Sequence, residues 1–244
     1  MKKALVYFTM IVGIIAVIGA CKSSDDSSAT ATSTDNASTD LAGTGTTPSG
    51  TITGHDNLTG VFHTSWYGQE PSGGCVDNSS ALSTHSYLAS DTRSFKKMWI
   101  ITGSDNFTDS EVQYSDTDCT TMTAYFNKMA DNVTIGSALT GLTAGSSPAF
   151  PTSANKISYQ FTKYSIFANT STTISSYLSR FGVTVTSGEE KLVDESNITT
   201  EYNVIAAGDT TCGTSQTKKC LYTAGGSASD NYTDWSDTSV FWQE

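Results

Sequence analysis

Five cysteines, the acidic residues of several turns and three histidines are the side chains of this 244-residue chain that offer reactive chemistry. Cys75, Cys119, Cys212 and Cys220 form an even set. In an exported domain such a set reads as two disulfides, with three possible connectivities. Cys75–Cys119 with Cys212–Cys220 is the favoured pairing, since the second bridge would close the short polar loop GTSQTKK at a hairpin end. Thiolate metal sites use close Cys-x-x-Cys spacing, which these four lack, so no metal is expected on them. Asp105, Asp109, Asp116 and Asp118 fall near the ends of neighbouring strands, where calcium would find oxygens. The bland role is preferred: Asp in a turn bonds to its own backbone. The chain carries no phosphate-binding loop, no HExxH, no dinucleotide fingerprint and no G-x-S-x-G, and Gly225-Gly226-Ser227-Ala228-Ser229 lacks the final Gly. His55, His63 and His85 all lie early, and with 74 Ser and Thr a Ser-His-Asp set can be drawn anywhere. No catalytic residue and no cofactor are expected.

Cys21 has a different setting. Met1-Lys2-Lys3 is a short basic start, followed by an apolar run from Ala4 to Ala20. About 17 residues is the lower limit for spanning a bilayer. The run ends in Ile18-Gly19-Ala20-Cys21, which has the form of a bacterial lipobox: an aliphatic residue three before an obligatory Cys, with small residues between. Small residues beside the scissile bond suit lipoprotein signal peptidase, and the Cys thiol takes the diacylglycerol. The sequence therefore predicts a signal peptide over 1–20 and a mature chain anchored to the membrane through lipidated Cys21. Without Lys2 and Lys3, 11 basic residues face 24 acidic ones, a net charge of −13. The expected location is the bacterial cell envelope, with the outer membrane favoured over the inner.

Around these residues the composition sets the architecture. Only 10 Leu against 74 Ser and Thr excludes a helical bundle. The negative charge excludes nucleic-acid binding by phosphate neutralisation. Residues 22–57 hold 16 Ser or Thr and only Leu41 and Ile52 as large aliphatics. Such a segment cannot offset its own ordering entropy, so 21–57 reads as a lipidated, disordered tether. From Leu58 to the end, at 58–244, short β-branched and aromatic runs alternate with turn clusters, the pattern of an antiparallel sheet. Strands are expected at 94–102, 107–115, 121–129, 132–137, 156–167, 201–206, 218–222 and 238–243. The apolar phase shifts after Lys163, to Tyr164 and Ile166, which predicts a bulge or a bend there. Ser171 to Phe181 places Ile174, Tyr177, Leu178 and Phe181 on one helical face, capped by Ser171 or Thr172 and stopped by Gly182. The expected fold is all-β: one antiparallel barrel of about 8–10 strands with a single short amphipathic helix.

Leu58-Thr59-Gly60-Val61-Phe62, then Cys75, then Tyr114-Ser115-Asp116-Thr117-Asp118-Cys119, form a sequence of motifs. Together they resemble a group of bacterial lipoproteins with a lipocalin-like barrel, which open with L-x-G-x-W and later carry Y-S-D-x-x-C. Tyr232-Thr233-Asp234-Trp235 and Val240-Phe241-Trp242 fit the last strands of such a barrel. The resemblance implies a barrel with an interior cavity. Trp99, Tyr159, Phe161, Trp235 and Trp242 are then the candidates to line its lumen, where small apolar ligands are held. The expected function is non-catalytic: binding of a small apolar ligand, or presentation of loops. The alternative is an acidic surface protein that binds a protein partner, as an adhesin or an inhibitor of a basic hydrolase such as lysozyme.

Overall fold

The computed structural model describes residues 50–64, 74–77, 82–83, 85, 88–143, 149–210, 212, 217–235 and 238–243. Cys21 and the Ile18-Gly19-Ala20 box before it lie outside these residues. Among these residues the elements described in full follow in the order β1 (Val61–Thr64), β2 (Ser94–Ile101), β3 (Phe107–Tyr114), β4 (Met122–Thr140), β5 (Ser153–Ala168), α1 (Ser171–Phe181), β6 (Glu190–Asp194), β7 (Thr200–Thr210), β8 (Lys218–Thr223) and β9 (Ser239–Trp242).

The strands make one antiparallel sheet that closes on itself. Each pairs with the next around the series β1, β2, β3, β4, β5, β7, β8, β9, and β9 returns to β1 through His63↔Trp242 and Thr64↔Phe241. One side chain from each of these eight strands, namely Phe62, Trp99, Phe107, Ala130, Ile157, Ile205, Leu221 and Phe241, joins a single core cluster. Only the inner side of a closed ring brings all eight together, so this face is the interior and the alternate residues point outward.

Two runs expected as separate strands, 121–129 and 132–137, are a single 19-residue strand. Asn132 takes φ 56° and the register with β5 shifts there, so the chain bends without ending the ladder. Asn tolerates that conformation better than other residues with a side chain. The bulge expected at Lys163 is present: Met129 pairs with Lys163 but Ala130 pairs with Phe161. It is also where β5 changes its second partner, from β7 up to Gln160 to β6 from Lys163 onward. β6, EKLVD, was not expected, because its charges hide the strand pattern. It pairs only with β5, and charged side chains suit such an edge.

The tether boundary needs correction. Residues 50–57 were assigned to the spacer on composition, yet Ile52 and Leu58 are each 1% exposed and Thr51 bridges Thr59. The apolar surface that orders this segment comes from the ring, which it plugs at one end, and not from the segment itself.

Helix α1 covers the other end. Its N-cap is Thr170, one residue before the expected cap, in a reciprocal capping box with Thr173. Gly182 ends it in the left-handed region at φ 67°. Tyr177 is fully buried against Ala124, Phe126, Ile166 and Ala168 on the inner face of β4 and β5. Leu178, expected on the same face, is 47% exposed. The stripe sits slightly rotated because Thr173 and Tyr177 take the contact.

Both disulfides join the favoured pairs, Cys75–Cys119 and Cys212–Cys220, with Cα separations of 5.8 and 5.5 Å. The second lies in an outer cluster with Tyr222, Trp235 and Trp242.

Candidate functional site

The ring interior has two levels. At the plugged end it is filled. Trp99 stacks on Phe107 at 4.3 Å, Tyr159 meets Phe107 edge-on at 5.0 Å, and Ile52 and Leu58 close the packing. Toward α1 the inner face turns charged. Strand alternation carries Lys97 on β2, Asp109 on β3, Lys128 on β4 and Glu201 on β7 to the inside, and the last turn of α1 adds Arg180. Lys97 and Asp109 form an ion pair at 2.6 Å with side chains 23% and 17% exposed. Arg180 pairs with buried Glu111 at 3.4 Å and stacks over Phe181 at 4.6 Å. Gln113 donates to Glu111 at 3.1 Å and lies 3.5 Å from the Tyr177 hydroxyl, tying the helix to β3. Lys97, Asp109, Lys128, Phe161, Tyr164 and Glu201 are all half-buried inner-face residues, whereas Trp99, Phe107, Ile157 and Tyr159 below them are buried. These inner-face side chains are not packed over, which leaves a charged chamber inside the ring.

Two groups in this chamber lack a close counter-charge. Among the described residues Lys128 makes no ion pair within 4.0 Å and no hydrogen bond, and its ammonium lies 5.2 Å from the Phe161 ring centre. Desolvation lowers its pKa, with Lys97 and Arg180 adding to the effect and Asp109 and Glu201 opposing it. Glu201 is its mirror image. Desolvation raises the Glu201 pKa and Asp109 adds to this, while Lys128 and the Tyr159 hydroxyl oppose it. Gly226 is held against the same carboxylate: a Cβ there would sit 2.9 Å from Glu201 Oε2 and 3.5 Å from the Tyr159 hydroxyl. A side chain at Gly226 would make the Glu201 carboxylate shift. Gly226 also lines an outer cleft with Gly225, Ser227 and residues 231–235, so it separates that cleft from Glu201.

Of the aromatic residues assigned to the lumen, Trp99, Tyr159 and Phe161 are on the inner face. Trp99 and Tyr159 belong to the filled level, and Phe161 borders the chamber. Trp235 and Trp242 are not in the interior. Phe241 points inward, so its neighbour Trp242 must point outward, opposite Cys220. Trp235 packs in the same outer cluster and donates from Nε1 to the Pro151 carbonyl at 2.9 Å. Of these charged residues the sequence reading named Asp109 alone, as a turn carboxylate, and did not join it to Lys97, Lys128 or Glu201. The signal was there: Lys97 is in phase with Phe95, Trp99 and Ile101, and Lys128 with Phe126 and Ala130.

The acidic turns divide. Asp109 is an interior strand residue. Asp116 accepts from the backbone N–H groups of Asp118, Thr120 and Thr121 at 3.2, 3.0 and 2.6 Å. Hydrogen bonding from the Thr121 side chain first, then from the Thr120 backbone and hydroxyl, holds its pKa well below the usual carboxylate range. Among the described residues no group of three or more His, Cys, Asp or Glu is placed to hold a metal ion. No family model matches this chain, and no curated protein compared with it matches either.

Proposed function

We propose that this protein is a non-catalytic lipoprotein of the bacterial envelope, anchored through lipidated Cys21, whose lipocalin-like barrel binds a small ligand in the charged chamber. The observation that carries this reading is a charged level inside a closed ring, holding a half-buried lysine with no counter-charge in contact among the described residues. The up-and-down order of the ring strands supports the lipocalin-like description. The filled apolar level leaves the charged level as the place for a ligand. That moves the expected ligand from an apolar molecule to a polar one. The lipobox, the disulfides and the Ser/Thr-rich tether fit export to an oxidising compartment.

Two measurements test it. The protein isolated from its native host should enter native mass spectrometry carrying a bound small molecule, and the Lys128→Met variant should lose that mass. In the same host, Cys21→Ser should abolish metabolic labelling with palmitate and shift the protein out of the membrane fraction. A Lys128→Met protein that keeps the ligand overturns the binding site, and a Cys21→Ser protein that remains acylated overturns the anchor.

A further inference from the structure

Resting on that reading, we propose that the chamber takes a small zwitterion of the α-amino acid type, its carboxylate on Lys128 and its ammonium on Glu201. The charge pattern decides the class. Among the described residues, Lys97, Lys128 and Arg180 bring positive charge to the chamber, and Asp109, Glu111 and Glu201 bring negative charge. Four of them are already joined, Lys97 to Asp109 and Arg180 to Glu111. The remaining two, Lys128 on β4 and Glu201 on β7, belong to strands separated by β5, and no ion pair joins them within 4.0 Å. One leftover cation and one leftover anion, held apart inside the same ring, are the complement of a dipolar ion.

Ligands of a single charge fit worse. A lone carboxylate reaching Lys128 would enter the field of Asp109 and Glu201, the two carboxylates that act on that ammonium. A lone ammonium reaching Glu201 would enter the field of Lys128, the cation that acts on that carboxylate. A zwitterion leaves the net charge of the chamber unchanged and supplies both missing partners. In a partly desolvated interior each of these interactions is worth more than in water. Phe161, beside Lys128, offers an apolar surface to the body of the ligand.

The test is calorimetric titration of the mature lipoprotein in detergent micelles with three matched probe sets. These are free L-amino acids, their N-acetyl derivatives, which keep only the carboxylate, and their amides, which keep only the ammonium. At least one free amino acid should bind saturably, with its N-acetyl and amide forms weaker by about tenfold or more. Lys128→Met and Glu201→Gln should each reduce that binding by about tenfold or more. Both disulfides, checked by mass, and the near-ultraviolet circular dichroism should be unchanged in the variants. An N-acetyl or amide probe that binds as tightly as the free amino acid overturns the zwitterion while leaving the chamber as a binding site. Failure of every free amino acid to bind overturns it as well. If, in addition, no probe of any charge class binds and the host-isolated protein carries no small molecule, the binding function falls with it.

Discussion

Lys128 sits in phase with Phe126 and Ala130, where alternation alone would place an apolar side chain. Its ammonium is retained without a contact counter-charge, which disfavours the charged form in the folded chain. A lysine whose folded pKa lies below its unfolded value contributes stability above the unfolded pKa, about 10.4, and loses it as pH falls through the folded value. Lys128→Met should therefore raise the thermal midpoint at neutral pH, by about 2–4 °C if the gain is ~1 kcal/mol. Differential scanning calorimetry across pH should show the gap widest on the acid side and closing above about pH 10.5. Glu201 has the opposite sign: its raised folded pKa gives stability below about pH 4.3, which is lost as pH rises through the folded value. Near neutrality both residues reduce stability, the pattern expected where a site is kept for a ligand and not for the fold. A gap that widens toward alkaline pH would contradict this account of Lys128.

The elements divide the labour of closing the ring. β4 and β5 are long enough to serve both levels, and the bulge near Lys163 lets β5 serve β7 below and β6 above. Helix α1 depends on its own ends: the Thr170–Thr173 capping box starts it and Gly182 stops it, so that Tyr177 and Arg180 reach into the ring. The two disulfides fasten different spans, 44 residues for Cys75–Cys119 and 8 for Cys212–Cys220. Loop-closure entropy then gives about 4 kcal/mol for the first and about 2.5 kcal/mol for the second. Urea unfolding of the paired Cys→Ser variants should reproduce that order. Full reduction should add about 4 Da to the intact mass, two hydrogens for each bridge. A larger loss from the Cys212/Cys220 variant would show that the outer cluster around Trp242, not chain entropy, dominates.

Across the whole molecule the ring is plugged at one end by residues 50–58 and covered at the other by α1, with the charged chamber between them. Ile52 belongs to the folded unit although its sequence neighbourhood reads as tether. Ile52→Ala should cost about 2–4 kcal/mol, measured by urea unfolding, because it removes a buried side chain at a site held open by the surrounding strands. A loss of only a few tenths of a kcal/mol would mean that the segment is not part of the cooperative unit.

The sequence by itself determined the strands that alternate, the helix with its Gly182 stop, the favoured disulfide pairs and the bulge near Lys163. The strands, helix and bulge are written in local periodicity and a left-handed stop, and Cys212–Cys220 in short spacing, with Cys75–Cys119 the pair that remained. It could not place Ile52, because the surface that buries it comes from distant strands. Nor could it read β6, whose charges suit an edge and mask its period. Trp242 and Lys128 show why the site stayed hidden. The resemblance suggested that the tryptophan lines the interior, and the sequence reading did not single out the lysine. Ring closure, through pairs as distant in sequence as His63 and Trp242, fixed which parity of each strand points inward. That one choice turned Trp242 outward and carried Lys97, Asp109, Lys128 and Glu201 into a common chamber. Inside and outside are properties of the closed sheet, and no single strand contains them.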